Sequence, residues 1–243
     1  ALAISGCAKS DLAKHSEVAN RLLTERGTPD FEDASTEAYA AVRHTPSGMV
    51  CVLPADGAFT FDLFPASAIN AGAQCSSTEG EQMNAWVAVR FREPTNLDAV
   101  FASAVVQLVE TGQAQPWDGQ PSAADLSSPE GLPHFRINRL EITLDGEPRY
   151  LRIAMSEADG WYLQQIVSSP IDEGVVAEEA SGELWRSALR AFATAHRLNR
   201  VVAAARGVVE ADLVAHDLYG YPACAHNFET VAVQIVVEAD LRQ

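Results

Sequence analysis

The sequence predicts an α+β fold: an antiparallel sheet of about six strands in the order β3-α-β3-α, with helices packed on it, an N-terminal helix before it and a C-terminal extension after it. Three observations carry this prediction. Between His134 and Pro170, Leu140, Ile142 and Leu144 alternate with polar residues, Leu151, Ile153 and Met155 alternate with Arg152 and Ala154, and Trp161, Leu163 and Val167 follow; Asp145-Gly146 and Asp159-Gly160 separate the three runs. An Asp-Gly pair tolerates the positive φ of a tight hairpin turn, so period-two patterning around two such pairs marks a three-stranded meander. Leu97, Val100, Phe101, Ala104, Val105, Leu108 and Val109 fall at helical spacing, with Thr95 and Asp98 as the start signal and Gly112 as the stop. Leu184, Trp185, Ala188, Leu189, Phe192 and Ala195 repeat that spacing within a second helix expected over Glu178 to His196.

The remaining elements follow in chain order. Ser10 to Arg26 places Leu12, Val18, Ala19, Leu22 and Leu23 at helical spacing, with Ser10-Asp11 as cap and Gly27 as stop. Thr28 to Ser47 is polar, contains Pro29 and Pro46, and reads as a tether, so residues 10–47 are expected to be a helix and linker. The α+β domain is assigned to residues 48–198. In it, Met49–Leu53 and the strand carrying Phe59, Phe61 and Leu63 form a strand pair. Pro65 to Gly80 reads as a long loop of small residues holding Cys75, and Ala85, Val87, Val89 and Phe91 give a third strand. Gln113 to Pro133, rich in Pro, Gly and Ser, reads as another long loop. Trp117 within it is a candidate ligand or lid contact, although tucking against the core to pin the loop is the preferred reading. Residues 199–243 form the extension. There Val201, Val202 and Ala205 continue the helix towards Gly207, Gly220-Tyr221-Pro222 breaks it, and Thr230 to Val237 reads as a strand.

With 243 residues, 47% hydrophobic and 21% charged, the chain can build a sizeable core and is not a disordered polymer. A net charge of −16 repels phosphate backbones and anionic headgroups, which argues against nucleic acid as a partner. No apolar run is long enough to span a bilayer. Residues 1–9 read as the remnant of a signal peptide. Within them Ile4-Ser5-Gly6-Cys7 resembles the bacterial lipobox: an aliphatic residue, two small residues that pass tight peptidase subsites, and a cysteine whose thiol is alkylated. Cys7 is therefore the expected lipid attachment, the membrane the expected partner through that anchor, and the periplasm or cell envelope the expected location. Cys51, Cys75 and Cys224 remain. In an oxidising compartment one disulfide is expected, with Cys51 and Cys75 preferred and a bond from either to Cys224 left open.

The motifs of nucleotide, hydrolase and zinc-protease chemistry are missing: there is no Gly-rich phosphate loop, G-x-S-x-G, H-E-x-x-H or C-x-x-C. No catalytic residue and no cofactor are expected. His216, Cys224 and His226 could hold Zn or Cu, since a soft thiolate with two imidazoles suits either ion. The preferred reading is surface histidines beside a buried or disulfide-bonded cysteine. His44 and Ser47 are close in sequence, but Pro46 intervenes and Ser47 reads as a turn residue. Asp172-Glu173 and Glu178-Glu179 read as solvated acids near a helix start.

The order of elements also carries a resemblance. The Met49–Phe64 strand pair ending in Phe64-Pro65, the Asp-Gly meander and the helix Trp185-Arg-Ser-Ala-Leu-Arg-Ala-Phe192 resemble the PsbP/Mog1-like fold, over about Val42 to Phe192. The stretch from Val42 to Cys51, V-R-H-x-P-S-G-x-x-C, is similar to uncharacterised exported, lipoprotein-like proteins of alphaproteobacteria. The resemblance implies an accessory, assembly or binding role rather than an enzyme, and transfers no site residue. The expectation is thus an exported, lipid-anchored, non-catalytic accessory or binding protein of the envelope with a protein partner there. The alternative is an interaction protein of the immunity or secretion-chaperone type, presenting an acidic face to a basic partner. A metalloprotein using His216, Cys224 and His226 comes third.

Overall fold

The computed structural model describes residues 10–54, 58–64, 70–92, 95–109, 114–126 and 132–219. The fold is α+β, and among the described residues every strand pairing is antiparallel. Helix α1 (Asp11–Arg26) precedes β1 (Phe31–Asp33), β2 (Ala41–His44) and β3 (Met49–Val52), which form a three-stranded sheet in that order. Then come β4 (Ala58–Phe64), β5 (Asn70–Glu79), β6 (Gln82–Phe91), α2 (Leu97–Val109), β7 (Ala114–Pro116), α3 (Ala123–Leu126), β8 (Phe135–Leu144), β9 (Glu147–Ala158), β10 (Trp161–Pro170) and α4 (Gly174–Tyr219). The seven-stranded sheet has the order β4-β5-β6-β10-β9-β8-β7. The chain divides into two compact units, residues 1–193 and 194–243. Both sheets belong to the first. In the second, the described residues are the C-terminal part of α4.

Local chemistry explains several boundaries. Ser10 caps α1, its hydroxyl accepting from the Ala13 amide, and Gly27 closes it at φ 62°. Asp145 and Asp159 sit at φ 53° and 51°, each followed by a glycine at positive φ, as a two-residue hairpin turn with the strands' own twist requires. Helix α2 starts one residue later than Thr95 suggests: Asn96 Oδ1 accepts from the Ala99 amide at 2.9 Å.

The sheet buries side chains on both faces. On one, Leu140, Ile142, Leu151 and Ile153 pack with Ile166 under Phe101, Val105 and Val109 of α2. On the other, Trp86, Ala88, Ala154 and Leu163 meet Trp185, Leu189 and Phe192 of α4, while Phe61, Ala73 and Cys75 meet Val42, Met49 and Cys51 of the small sheet. This double covering buries β9 from Tyr150 to Ser156 without a break, so the alternation seen in its sequence does not correspond to a wet face.

Five expectations are corrected. Thr28 to Ser47 is no tether; it supplies β1 and β2. Pro65 to Gly80 is not a loop throughout, because Asn70–Glu79 is β5, paired with β4 on one side and β6 on the other. Its Ala, Gly and Ser residues have poor strand propensity, but tertiary pairing overrides it, and small residues are needed there: a Cβ on Gly72 would lie 2.1 Å from the Ala88 carbonyl oxygen. Met49–Val52 and Ala58–Phe64 do not pair with each other; β3 pairs with β2 and β4 with β5. Gln113 to Pro133 carries β7 and α3. The second helix is also longer than Glu178 to His196, reaching Tyr219 through Gly207. The strand expected at Thr230 to Val237 lies outside the described residues.

Candidate functional site

Three places in the first unit gather polar chemistry. The first lies between β8, β9 and β10 and the start of α4. Arg152 of β9 is fully buried, as is Glu178 of α4 at 1% exposure. Arg152 donates through Nη2 to both Asp125 oxygens (3.0 and 2.9 Å) and through Nη1 to Gln165 Oε1, while its Nε lies 3.4 Å from Glu178 Oε2. Arg139 donates to Glu178 Oε1 at 2.7 Å and to Asp125 Oδ2 at 2.5 Å. Glu178 also accepts from the Ser122 amide at 2.8 Å and from the Tyr150 hydroxyl.

Burial alone would raise the Glu178 carboxyl, but hydrogen bonds from Tyr150, Ser122 and Arg139 and the Arg152 charge outweigh it and hold the group below its ordinary range. Burial, then Glu178, pushes the Tyr150 phenol far above its usual value. Two guanidiniums face two carboxylates, so these four groups are neutral as a set, with Arg152 Nε and Gln165 Nε2 left without a hydrogen-bond partner among the described residues. The cluster clamps the 114–126 segment to the sheet, aided by Arg186 donating to the Ala124 carbonyl. Gly182 makes room for this: a Cβ there would lie 2.3 Å from Ser122 Oγ. Glu178 is therefore not the solvated acid expected of it, whereas Asp172, Glu173 and Glu179 are exposed.

The second place is the β2–β3 turn. His44 Nδ1 lies 2.7 Å from Ser47 Oγ, and that oxygen accepts from the Met49 amide at 3.2 Å. The turn brings His44 and Ser47 together across Pro46, and Ser47 is the turn residue the sequence suggests. Both are buried, with the His44 ring against Phe31 and Trp161. Burial lowers the imidazole, with Asp30 opposing, which favours a neutral ring accepting from the serine hydroxyl. A nucleophile needs an exposed oxygen beside a substrate; this one ties a turn.

The third place is open. A cleft of about 330 Å³ lies between α4 and the small sheet with its 33–41 loop. Trp86 of β6, Val50 and Val52 of β3, Tyr39 of the loop, and Leu184 and Ala188 of α4 line it, with Asp33, Arg43, Ser35, Thr36 and Ser187 as polar neighbours. Trp86 stacks on Trp185 at 6.0 Å, which fixes the indole beneath the cleft. The volume is at the small end of the ligand-site range of about 300–1,000 Å³.

The residues singled out in the sequence fall as follows. Cys51 and Cys75 are bonded to each other, joining the small sheet to the large one. Trp117 is half-buried, edge-on to Tyr150 at 4.8 Å, and its amide donates to the Arg139 carbonyl. Cys7, Cys224, His226 and the side chain of His216 lie outside the described residues. Among the described residues no cluster of three or more His, Cys, Asp or Glu is placed to hold a metal, and no helix is long and apolar enough to cross a membrane. The polar cluster left one sequence signal unread: Arg152 inside an apolar strand, with Gly174 and Gly182 spaced about two helical turns apart around Glu178. The cleft left none, because it assembles from four separated stretches.

No family model and no curated protein matches the chain. Among solved structures it is similar to a protein of unknown function from Pseudomonas aeruginosa, at 15% identity and TM-score 0.24, over 56% of this chain and 88% of that one. It is also similar to an uncharacterised protein from Mycobacterium smegmatis, at 11% identity and TM-score 0.27, over 74% of this chain and 96% of that one. At such scores neither likeness carries an argument about this chain.

Proposed function

We propose that the chain is an exported, lipid-anchored, non-catalytic binding module of the bacterial cell envelope, with the cleft over Trp86 as its binding site. The observation that carries this is a contrast. Among the described residues, the clusters that could do acid–base or nucleophilic chemistry are buried and engaged with one another, while the open cleft is lined mainly by apolar and neutral groups, its two charged residues, Asp33 and Arg43, being already paired. Such a lining binds, and holds no activated group. A buried disulfide between two sheets suits an oxidising compartment, and Ile4-Ser5-Gly6-Cys7 suits lipidation there. The PsbP/Mog1-like resemblance points the same way.

Binding is tested by native mass spectrometry of the protein isolated from its source envelope. A stoichiometric small molecule, lost when Ala188 is replaced by Trp, is the expected result; an unliganded protein that also binds nothing from an envelope extract defeats the reading. Radiolabelled palmitate should enter the full-length precursor and not its Cys7→Ala variant, and an unlabelled precursor removes the anchor. The net charge of −16 motivates the second reading, a protein partner with a basic face. A pull-down at low salt that recovers no stoichiometric basic protein counts against it. For the third, elemental analysis of chelator-free protein without Zn or Cu disposes of a site at His216, Cys224 and His226.

A further inference from the structure

Taking the cleft as a binding site, we propose that its ligand is an uncharged amphiphile: an aliphatic or ring body laid on Trp86, Val52 and Leu184, with a hydroxyl- or amide-type head at Tyr39 and Ser187. The polar groups of the lining divide into those already engaged and those left open. Asp33 and Arg43 are the charged residues of the lining. Asp33 accepts from the Ser35 amide at 2.9 Å and from Asn20 at 3.4 Å. Burial works to raise its carboxyl, yet the Ser35, Ser16 and Asn20 bonds hold it low, so it is ionised and engaged. Arg43 donates through both Nε and Nη2 to Glu32 Oε1. An anionic ligand would have to separate that pair inside a molecule of charge −16. A cationic one would have to draw Asp33 away from its donors.

Either charge would also lose hydration on entering an apolar cleft, at a cost far larger than that of a neutral head that finds hydrogen-bond partners there. The neutral groups divide likewise. Ser35 Oγ accepts from the Ala41 amide, and Thr36 Oγ1 accepts from the Ala38 and Tyr39 amides. The hydroxyls of Tyr39 and Ser187 have no protein partner among the described residues. Each donates or accepts, which suits a hydroxyl or amide.

The test uses the full disulfide-bonded chain and three probes of equal chain length: octanol, octanoate and octylammonium at neutral pH. Binding is followed through the indole N–H resonances and the Trp fluorescence. Octanol should bind saturably, shift the Trp86 resonance, and bind at least about tenfold more tightly than either charged probe, corresponding to about 1.4 kcal/mol. Ala188→Trp should abolish this binding, and Ala191→Leu supplies a smaller blockade should the tryptophan variant misfold. Tyr39→Phe should weaken octanol several-fold without changing the cleft's shape. Octanoate or octylammonium binding as tightly as octanol, with the same resonances moved, overturns the uncharged class and leaves the binding reading standing. Failure of all three probes to bind the folded protein overturns both.

Discussion

At Glu178 one carboxylate holds the Ser122 amide, the Tyr150 hydroxyl and Arg139, with Arg152 alongside. Breaking a buried charge set by removing one member costs about 3–5 kcal/mol, because the remaining charges stay buried without compensation. Glu178→Gln should therefore lower stability by that amount in urea unfolding, and loosen the 114–126 segment in hydrogen exchange before the rest of the sheet. The pH dependence separates two residues. Glu178 has a folded value below its unfolded one, so its contribution is complete above the ordinary carboxylate range and is lost as pH falls through the lowered value. His44 is a base whose folded value lies below 6.5. The unfolded chain takes up its proton first, and stability falls as pH drops from about 6.5 towards that lowered value. Urea midpoints measured from pH 8 to pH 3 should show both declines. His44→Asn should remove the upper one, and Glu178→Gln should flatten the lower one.

Among the elements, those whose boundaries rest on local chemistry were legible in the sequence. The Ser10 and Gly27 caps of α1, the Asp-Gly corners and the stripe of α2 each act through residues a few positions apart. Strand β5 was not legible, because what makes Asn70–Glu79 a strand is a neighbour on each side and the close approach of the Ala88 carbonyl to Gly72. Nor was the burial of Glu178, whose neighbour Glu179 is exposed; a charge pattern says nothing about a partner brought from 39 residues away. Gly182→Ala should push the Ser122 side chain off α4 and destabilise by about 1–3 kcal/mol, the usual range for overpacking, with the loss seen as a lower urea midpoint at an unchanged slope. The Cys51–Cys75 bond closes a sequence separation of 24, worth about 3.5 kcal/mol in the chain-entropy model. A Cys51→Ala, Cys75→Ala protein should lose roughly that in denaturant titration, and its first protected amides to disappear should be those of β1 to β3.

For the molecule as a whole, the sheet order β4-β5-β6-β10-β9-β8-β7 has one pairing unlike the others. Every other neighbour in it is consecutive in the chain, whereas β6 and β10 meet in a register that sets Arg90 against Trp161, with α2, β7, α3, β8 and β9 between them. Two ribbons that can each zip from a short turn must therefore be joined by a distant, entropically slow encounter. That encounter should set the refolding rate: in stopped-flow experiments Leu163→Ala, at the seam, should slow refolding, while Ala19→Gly in α1 should chiefly hasten unfolding. Before it happens, each half offers a free border of ten residues to any other chain in solution. The slow step of maturation and the hazard of clumping thus share one location, and recovery from denaturant should decline as protein concentration rises.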